Sequence, residues 1–140
     1  MSIVQTQTTS FKAELYQGIH DLTTDVIKIA LYDGNANLNE DTTAYTTSNE
    51  IPATGGYTAG GKTMTGITVN TSGYTAYVGF DNVVWNPGAF TARCALIYNS
   101  SQGNKSIAVL DFGSDKTTTS TFTITMPANT ASAALIRSSI

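Results

Sequence analysis

Thr91-Ala92-Arg93-Cys94-Ala95-Leu96-Ile97-Tyr98, the linker Asn99-Ser100-Ser101-Gln102-Gly103-Asn104-Lys105, and Ser106-Ile107-Ala108-Val109-Leu110-Asp111-Phe112-Gly113 form the stretch that decides the fold. Two short, almost unbroken apolar runs flank a linker of small polar residues. That is the pattern of a β-hairpin whose strands are too apolar to keep a wet face. The pair therefore belongs in the core, with the other segments laid around it as further strands.

Downstream of the hairpin, Thr119–Met126 alternates Phe122, Ile124 and Met126 against Thr121, Thr123 and Thr125, and beyond the turn at Pro127 the run Ala133–Arg137 reads as a last short strand. Upstream, Lys62–Asn70, Tyr74–Phe80 and Asn82–Trp85 are strand-like, the last closed by Asn86-Pro87-Gly88. Val26–Tyr32 puts Ile27, Ile29 and Leu31 on one face and Lys28 on the other, then ends in the turn Asp33-Gly34-Asn35. Residues 35–61 are rich in Asn, Thr and Gly without a period, a length that in a compact domain is usually functional or mobile. Phe11, Leu15, Ile19 and Leu22 recur at helical spacing, which predicts one short helix from Phe11 to about Ile19 with Ser10 as its N-cap.

Residues 1–9 read as a flexible N-terminal arm and residues 10–140 as a single domain. About eight strands at this spacing predict an all-β fold, an antiparallel β-sandwich of jelly-roll type with one short N-terminal helix. The expected core is Ile27, Ile29, Leu31, Leu96, Ile97, Val109, Leu110, Phe112, Phe122 and Ile124.

Composition supports strands and narrows the function. In 140 residues, 24 are Thr, whereas only 12% are charged, so polarity comes from hydroxyls on a β-branched residue. The net charge of −3 and the scatter of Lys12, Lys28, Lys62, Arg93, Lys105, Lys116 and Arg137 argue against nucleic acid as a partner. Cys94 is the sole cysteine, which excludes an intramolecular disulfide. The first residues lack the basic and apolar regions of a signal peptide and no apolar run has membrane-spanning length, so a cytosolic site of synthesis and no membrane partner are expected.

Several motifs invite chemistry that their context does not support. Gly56-Tyr57-Thr58-Ala59-Gly60-Gly61-Lys62-Thr63 matches the phosphate-binding loop letter for letter, and Ile107–Asp111 imitates the strand that would hold magnesium. That loop must leave a buried strand and open a helix so that backbone N–H groups converge on phosphate, yet Met64–Val69 is β-branched and interrupted by Gly66. Asp111-Phe112-Gly113 stands without the other elements of a kinase.

His20 has no second His or Cys near it in sequence and reads as a capping or turn residue. Cys94 reads as a small buried hydrophobe, since a Cys–His pair with His20 would lack an orienting group. Glu40 with Asp41, and Asp111 with Asp115, lack a diagnostic spacing for glycoside hydrolysis or calcium. No catalytic, cofactor-binding or metal-binding residues are assigned, and the chain is not expected to be an enzyme. Tyr45, Tyr57 and Trp85 are the candidate interface residues, because aromatic anchors in or beside a long loop suit a partner surface or a sugar-stacking platform.

Taken in order, Phe11-Lys12-Ala13-Glu14-Leu15 with Gly18 and His20, Asp25 through Tyr32, Ala44-Tyr45-Thr46-Thr47 with Glu50, Gly56-Tyr57 before Gly60-Gly61, Ala95–Tyr98 and Ala108–Gly113 resemble a family of small virion structural proteins of tailed bacteriophages. The resemblance runs from about residue 11 to residue 137. It implies a jelly-roll-like cement or decoration protein on the capsid exterior, made in the host bacterial cytoplasm. Its partners would be the major capsid protein and further copies of itself, as a homodimer or homotrimer, and it would carry no cofactor. The rival expectation is a tail or receptor-binding appendage that binds host surface carbohydrate through Tyr45, Tyr57 and Trp85.

Overall fold

The computed structural model describes residues 2–139. At its centre stand β7 (Thr91–Asn99) and β8 (Lys105–Thr117), antiparallel, with Leu96 opposite Val109 and Ala95 opposite Leu110. Between them runs a single 3₁₀ turn, Ser100–Gln102, in which Ser100 N donates to Val26 O at 2.9 Å and Ser101 N to the Asn99 side chain at 3.1 Å. Gly103 and Asn104 then take left-handed conformations, with φ of 65° and 60°, which reverse the chain within a short linker.

Strand β2 (Ile27–Tyr32) pairs with the other edge of β7, Ile29 facing Ile97. Two short strands, β1 (Thr6–Gln7) on β8 and β3 (Lys62–Thr63) on β2, complete a five-stranded sheet in the order β1-β8-β7-β2-β3. A second sheet has the order β10-β5-β4, from β10 (Ile136–Ser138), β5 (Thr75–Gly79) and β4 (Thr68–Ser72). A third holds β6 (Val83–Trp85) against β9 (Phe122–Ile124). With one helix, α1 (Thr9–Tyr16), the described chain is mostly β, and every named strand pair is antiparallel.

Both faces of the five-stranded sheet are buried, which is why its strands are apolar without alternation. Ile27, Ile29 and Leu31 of β2 with Ala95 and Ile97 of β7 face the larger core, together with Phe11 of α1, Val78, Trp85, Phe122 and Ile124. Ala30, Tyr32, Cys94, Leu96, Tyr98 and Val109 face the opposite way, beneath Ala36, Leu38, Tyr45 and Ile3. A register shift between Ala92 and Cys94 turns Ala92 to the same side as Ala95, so one bulge lets both sides of β7 pack.

The structure departs from the expectations in several places, among them the last strand, expected over Ala133–Arg137 and observed as Ile136–Ser138. The first nine residues are not a loose arm among those described: Thr6 pairs with Val109, Thr8 N donates to Ile107 O at 3.0 Å, and Val4 N donates to Leu38 O at 3.0 Å. An edge of β8 with free backbone groups draws that segment in. The helix starts two residues early, with Thr8 rather than Ser10 as N-cap, its hydroxyl accepting from Phe11 N at 3.3 Å. The run Lys62–Asn70 divides into β3 and β4, since Gly66 turns with φ 64° and a Cβ there would lie 2.2 Å from the Asp81 carboxylate. Phe112 is half-buried, its ring tilted against Phe122 with centres 6.2 Å apart, whereas the other nine expected core residues are buried.

Candidate functional site

Two polar networks of this domain fasten irregular segments to the central sheet. The first surrounds Glu50. Residues 49–51 run beside the end of β2, where Asp33 N donates to Asn49 O at 2.9 Å and Ile51 N donates to Leu31 O at 3.1 Å. This places the Glu50 carboxylate among three donors: the hydroxyls of Tyr45 at 2.6 Å and Tyr57 at 2.5 Å, and Gly60 N at 2.8 Å.

The sheet answers from below. Tyr98 of β7 donates to Gly60 O at 2.5 Å and stacks on Tyr45 with ring centres 4.8 Å apart, while Tyr32 of β2 donates to Thr46 O at 2.7 Å. Tyr57 also accepts from Leu31 N at 3.0 Å. Four phenols and one carboxylate thus latch the 45–61 segment to β2 and β7.

The second network crosses from α1 to the hairpin turn. His20 places Nε2 2.9 Å from Glu14 Oε1 and Nδ1 3.0 Å from Asn99 Nδ2, and the same amide nitrogen donates to Asp25 Oδ2 at 2.8 Å. Because Asn99 Oδ1 is taken by Ser101 N, its amide N–H faces the ring, so Nδ1 accepts and Nε2 carries the proton given to Glu14. The His20 side chain is fully buried. The Asn99 amide, helped by Asp21 N, holds the Asp25 carboxyl below the usual range. Glu14, His20, Asn99 and Asp25 resemble a proton relay, but their partners are one another and a turn, so the arrangement fastens helix to hairpin. His20 therefore has the turn-tying role expected for it.

Cys94 sits on the opposite face of β7 from this network, five residues along the strand from Asn99, roughly 16 Å away. Burial, reinforced by Asp111 and Asp33 against the opposing Arg93, pushes its thiol up to about 12. It is a buried hydrophobe and forms no pair with His20. Asp111 of the Asp-Phe-Gly run accepts from Gly113 N at 2.8 Å and pairs with Arg93, and these contacts hold its carboxyl low. Among the described residues no group of three or more His, Cys, Asp or Glu side chains gathers with metal-ligand geometry.

Two of the three candidate interface residues are misplaced by the sequence reading. Tyr57 and Trp85 are each only 3% exposed, and Tyr45 is half-buried beneath the loop. Strand β6 turns Val83 and Trp85 inward and Val84 outward, and β9 sets Phe122 opposite Trp85. The indole then meets Phe90 at 6.1 Å and Phe122 at 6.0 Å, both edge-on, with Tyr57 at 6.3 Å. Tyr57 and Trp85 thus turn their rings into the core rather than to the surface.

The glycine-rich run has a backbone role as well. It leads into β3, a strand rather than a helix, and the Lys62 ammonium donates to Val84 O while lying 5.8 Å above the Trp85 ring. Gly61 has φ 81°, and a Cβ there would stand 1.8 Å from Ile29 O, so the loop can approach β2 only without a side chain. Glu50, the hub of the larger network, was assigned no role from sequence. The usable signal was a carboxylate set between Tyr45 and Tyr57 in a charge-poor segment.

The latch predicts a response to alkali. Burial raises the Tyr32, Tyr45, Tyr57 and Tyr98 hydroxyls, Tyr98 to about 12, and the Glu50 charge acts in the same direction on each. The unfolded chain releases those protons near pH 10 while the folded one keeps them, so stability is intact below about pH 10 and falls as pH rises through the folded values. Ultraviolet titration followed with circular dichroism should show four of the seven tyrosines ionising only as the sheet signal is lost. Ionisation of all seven with the fold retained would contradict the latch.

Compared with protein-family models, with curated proteins and with solved structures, the chain finds no match in any of the three.

Proposed function

We propose that this chain is a virion structural protein of a tailed bacteriophage, a cement or decoration protein that ties neighbouring major capsid subunits together on the outer shell and performs no catalysis. In this reading the fold is a jelly-roll-like β-sandwich, and the protein acts as a small oligomer, a dimer or trimer. The supporting observation is where the resembling segments lie. They supply β2, the paired halves of β7 and β8, and the members of both networks, Glu14, His20 and Asp25 in one and Tyr45, Glu50, Tyr57 and Gly60 in the other. The likeness therefore concerns the frame that sets the fold, as suits a protein whose work is to be a rigid body between other subunits.

Many modest contacts repeated over a shell act by avidity. With residues 2–9 packed on the domain, contacts to the shell fall to exposed edges rather than to a trailing arm. The test compares particles assembled with and without this protein for DNA retention on heating or on dilution of salt. Loss at a lower temperature without it is expected. Equal retention, or labelled protein found at the tail tip, would overturn the reading.

A further inference from the structure

Helix α1 lies beside two strands that end their sheets, β1 of the five-stranded sheet and β10 of the three-stranded one, and between them opens a cleft of about 640 Å³. That volume is in the range of sites that hold ligands. Gln7 lines it from β1, Arg137 from β10, and Lys12, Leu15 and Tyr16 from α1.

Charge and exposure are both unusual there. The cleft holds two of the seven cationic residues of a chain whose net charge is −3, and no carboxylate lines it. Among the described residues neither Lys12 nor Arg137 forms an ion pair, and Arg137 donates only to the Ser132 carbonyl. Tyr16 is 94% exposed and Leu15 38%, so the helix turns its apolar side chains toward the cleft and solvent while Phe11 alone is buried.

We propose that this cleft docks an extended acidic peptide segment of a partner protein. Two cations with no carboxylate partner among the described residues provide charge complementarity for side chains such as Glu or Asp. Strands β1 and β10 each end a sheet, and an extended chain binds such an edge by adding alongside it. Tyr16 gives a large amphipathic surface at the rim. A long polyanion such as nucleic acid is disfavoured, because beyond these two cations it would meet a surface of net negative charge. The inference names only the partner's chemistry and does not depend on the capsid reading.

The probe is a fluorescently labelled peptide of alternating Glu and Val, titrated with the whole chain at low salt and followed by anisotropy. Saturable binding is expected, weakened about tenfold by Lys12→Glu and to a similar degree by Arg137→Glu. Added salt, or a peptide with Gln in place of Glu, should weaken it likewise. Both residues are exposed, so the variants keep the fold, which circular dichroism checks. Lys116→Glu, an exposed charge reversal elsewhere, should leave binding unchanged.

No binding by the unaltered chain, no effect of the two cleft variants, or an equal effect of Lys116→Glu would overturn the proposal. So would tighter binding of a labelled oligothymidylate through Lys12 and Arg137, which would make the site one for nucleic acid.

Discussion

Replacing Glu50 by alanine is expected to destabilise the protein by about 3–5 kcal/mol, because the change strands three donors at once, two of them on buried residues. The carboxylate accepts from the Tyr45 and Tyr57 hydroxyls and from Gly60 N. A buried donor left without a partner costs about 1–3 kcal/mol, and charge-assisted bonds lie at the upper end. Tyr57 keeps its bond from Leu31 N and Tyr98 its bond to Gly60 O, so the segment should loosen before the sheet parts. Glu50→Gln restores acceptor capacity through one oxygen and should recover part of the loss, whereas Tyr57→Phe removes a single donor and should cost about 1–3 kcal/mol. Urea unfolding of the three variants checks this ordering. If Glu50→Ala lies within about 1 kcal/mol of the unaltered protein, the latch contributes little and loop packing alone holds residues 45–61.

Trp85→Ala is expected to cost about 3–5 kcal/mol, the range for emptying a buried aromatic site. The indole is 3% exposed and touches Tyr57, Phe90 and Phe122, so its removal opens a void where the β6 and β9 pair meets the core of the five-stranded sheet. The cluster is built of rings at steep angles, which neighbouring side chains cannot refill by small shifts. This test separates two roles for the same residue. A surface platform for sugar would tolerate alanine with under about 0.5 kcal/mol of change and lose only binding. As the sole tryptophan, Trp85 also reports the cluster through its own fluorescence, and a signal characteristic of a solvated indole in the native protein would contradict its burial.

The networks suggest why a domain with so few charges keeps those it has. Glu14, Asp25 and Glu50 each sit where a segment without regular structure must be held against the sheet. Thr, Ser and Tyr hydroxyls supply most of the remaining polarity, and buried ones bond to backbone, as with Tyr32 to Thr46 O and Ser106 to Thr42 O.

What the sequence determined by itself was the β character of the chain and the place of its central strands. The apolar runs at 91–98 and 106–113, the alternation at 122–126 and the single helical repeat near Phe11 are local patterns, and they survive in the structure as β7, β8, β9 and α1. Local pattern also sufficed for the burial of Leu96, Ile97 and Val109, because a strand apolar on both faces has no stable place outside a core.

Tertiary structure alone decided everything that depends on which segment covers which face. Residues 2–9 carry no period, and only the free edge of β8 makes a strand of Thr6–Gln7. Trp85 and Tyr57 are chemically suited to either a surface or a core, and the choice fell to Phe90 and Phe122, brought to Trp85 from other turns of the chain. Glu50 became a hub through contacts with Tyr57 and Gly60, and Gly60 in turn meets Tyr98 of β7. No spacing in the chain encodes that pairing. Periodicity is a property of neighbours in sequence, whereas hydrogen-bond satisfaction and ring packing belong to neighbours in space, and for the 35–61 segment those are mostly different residues.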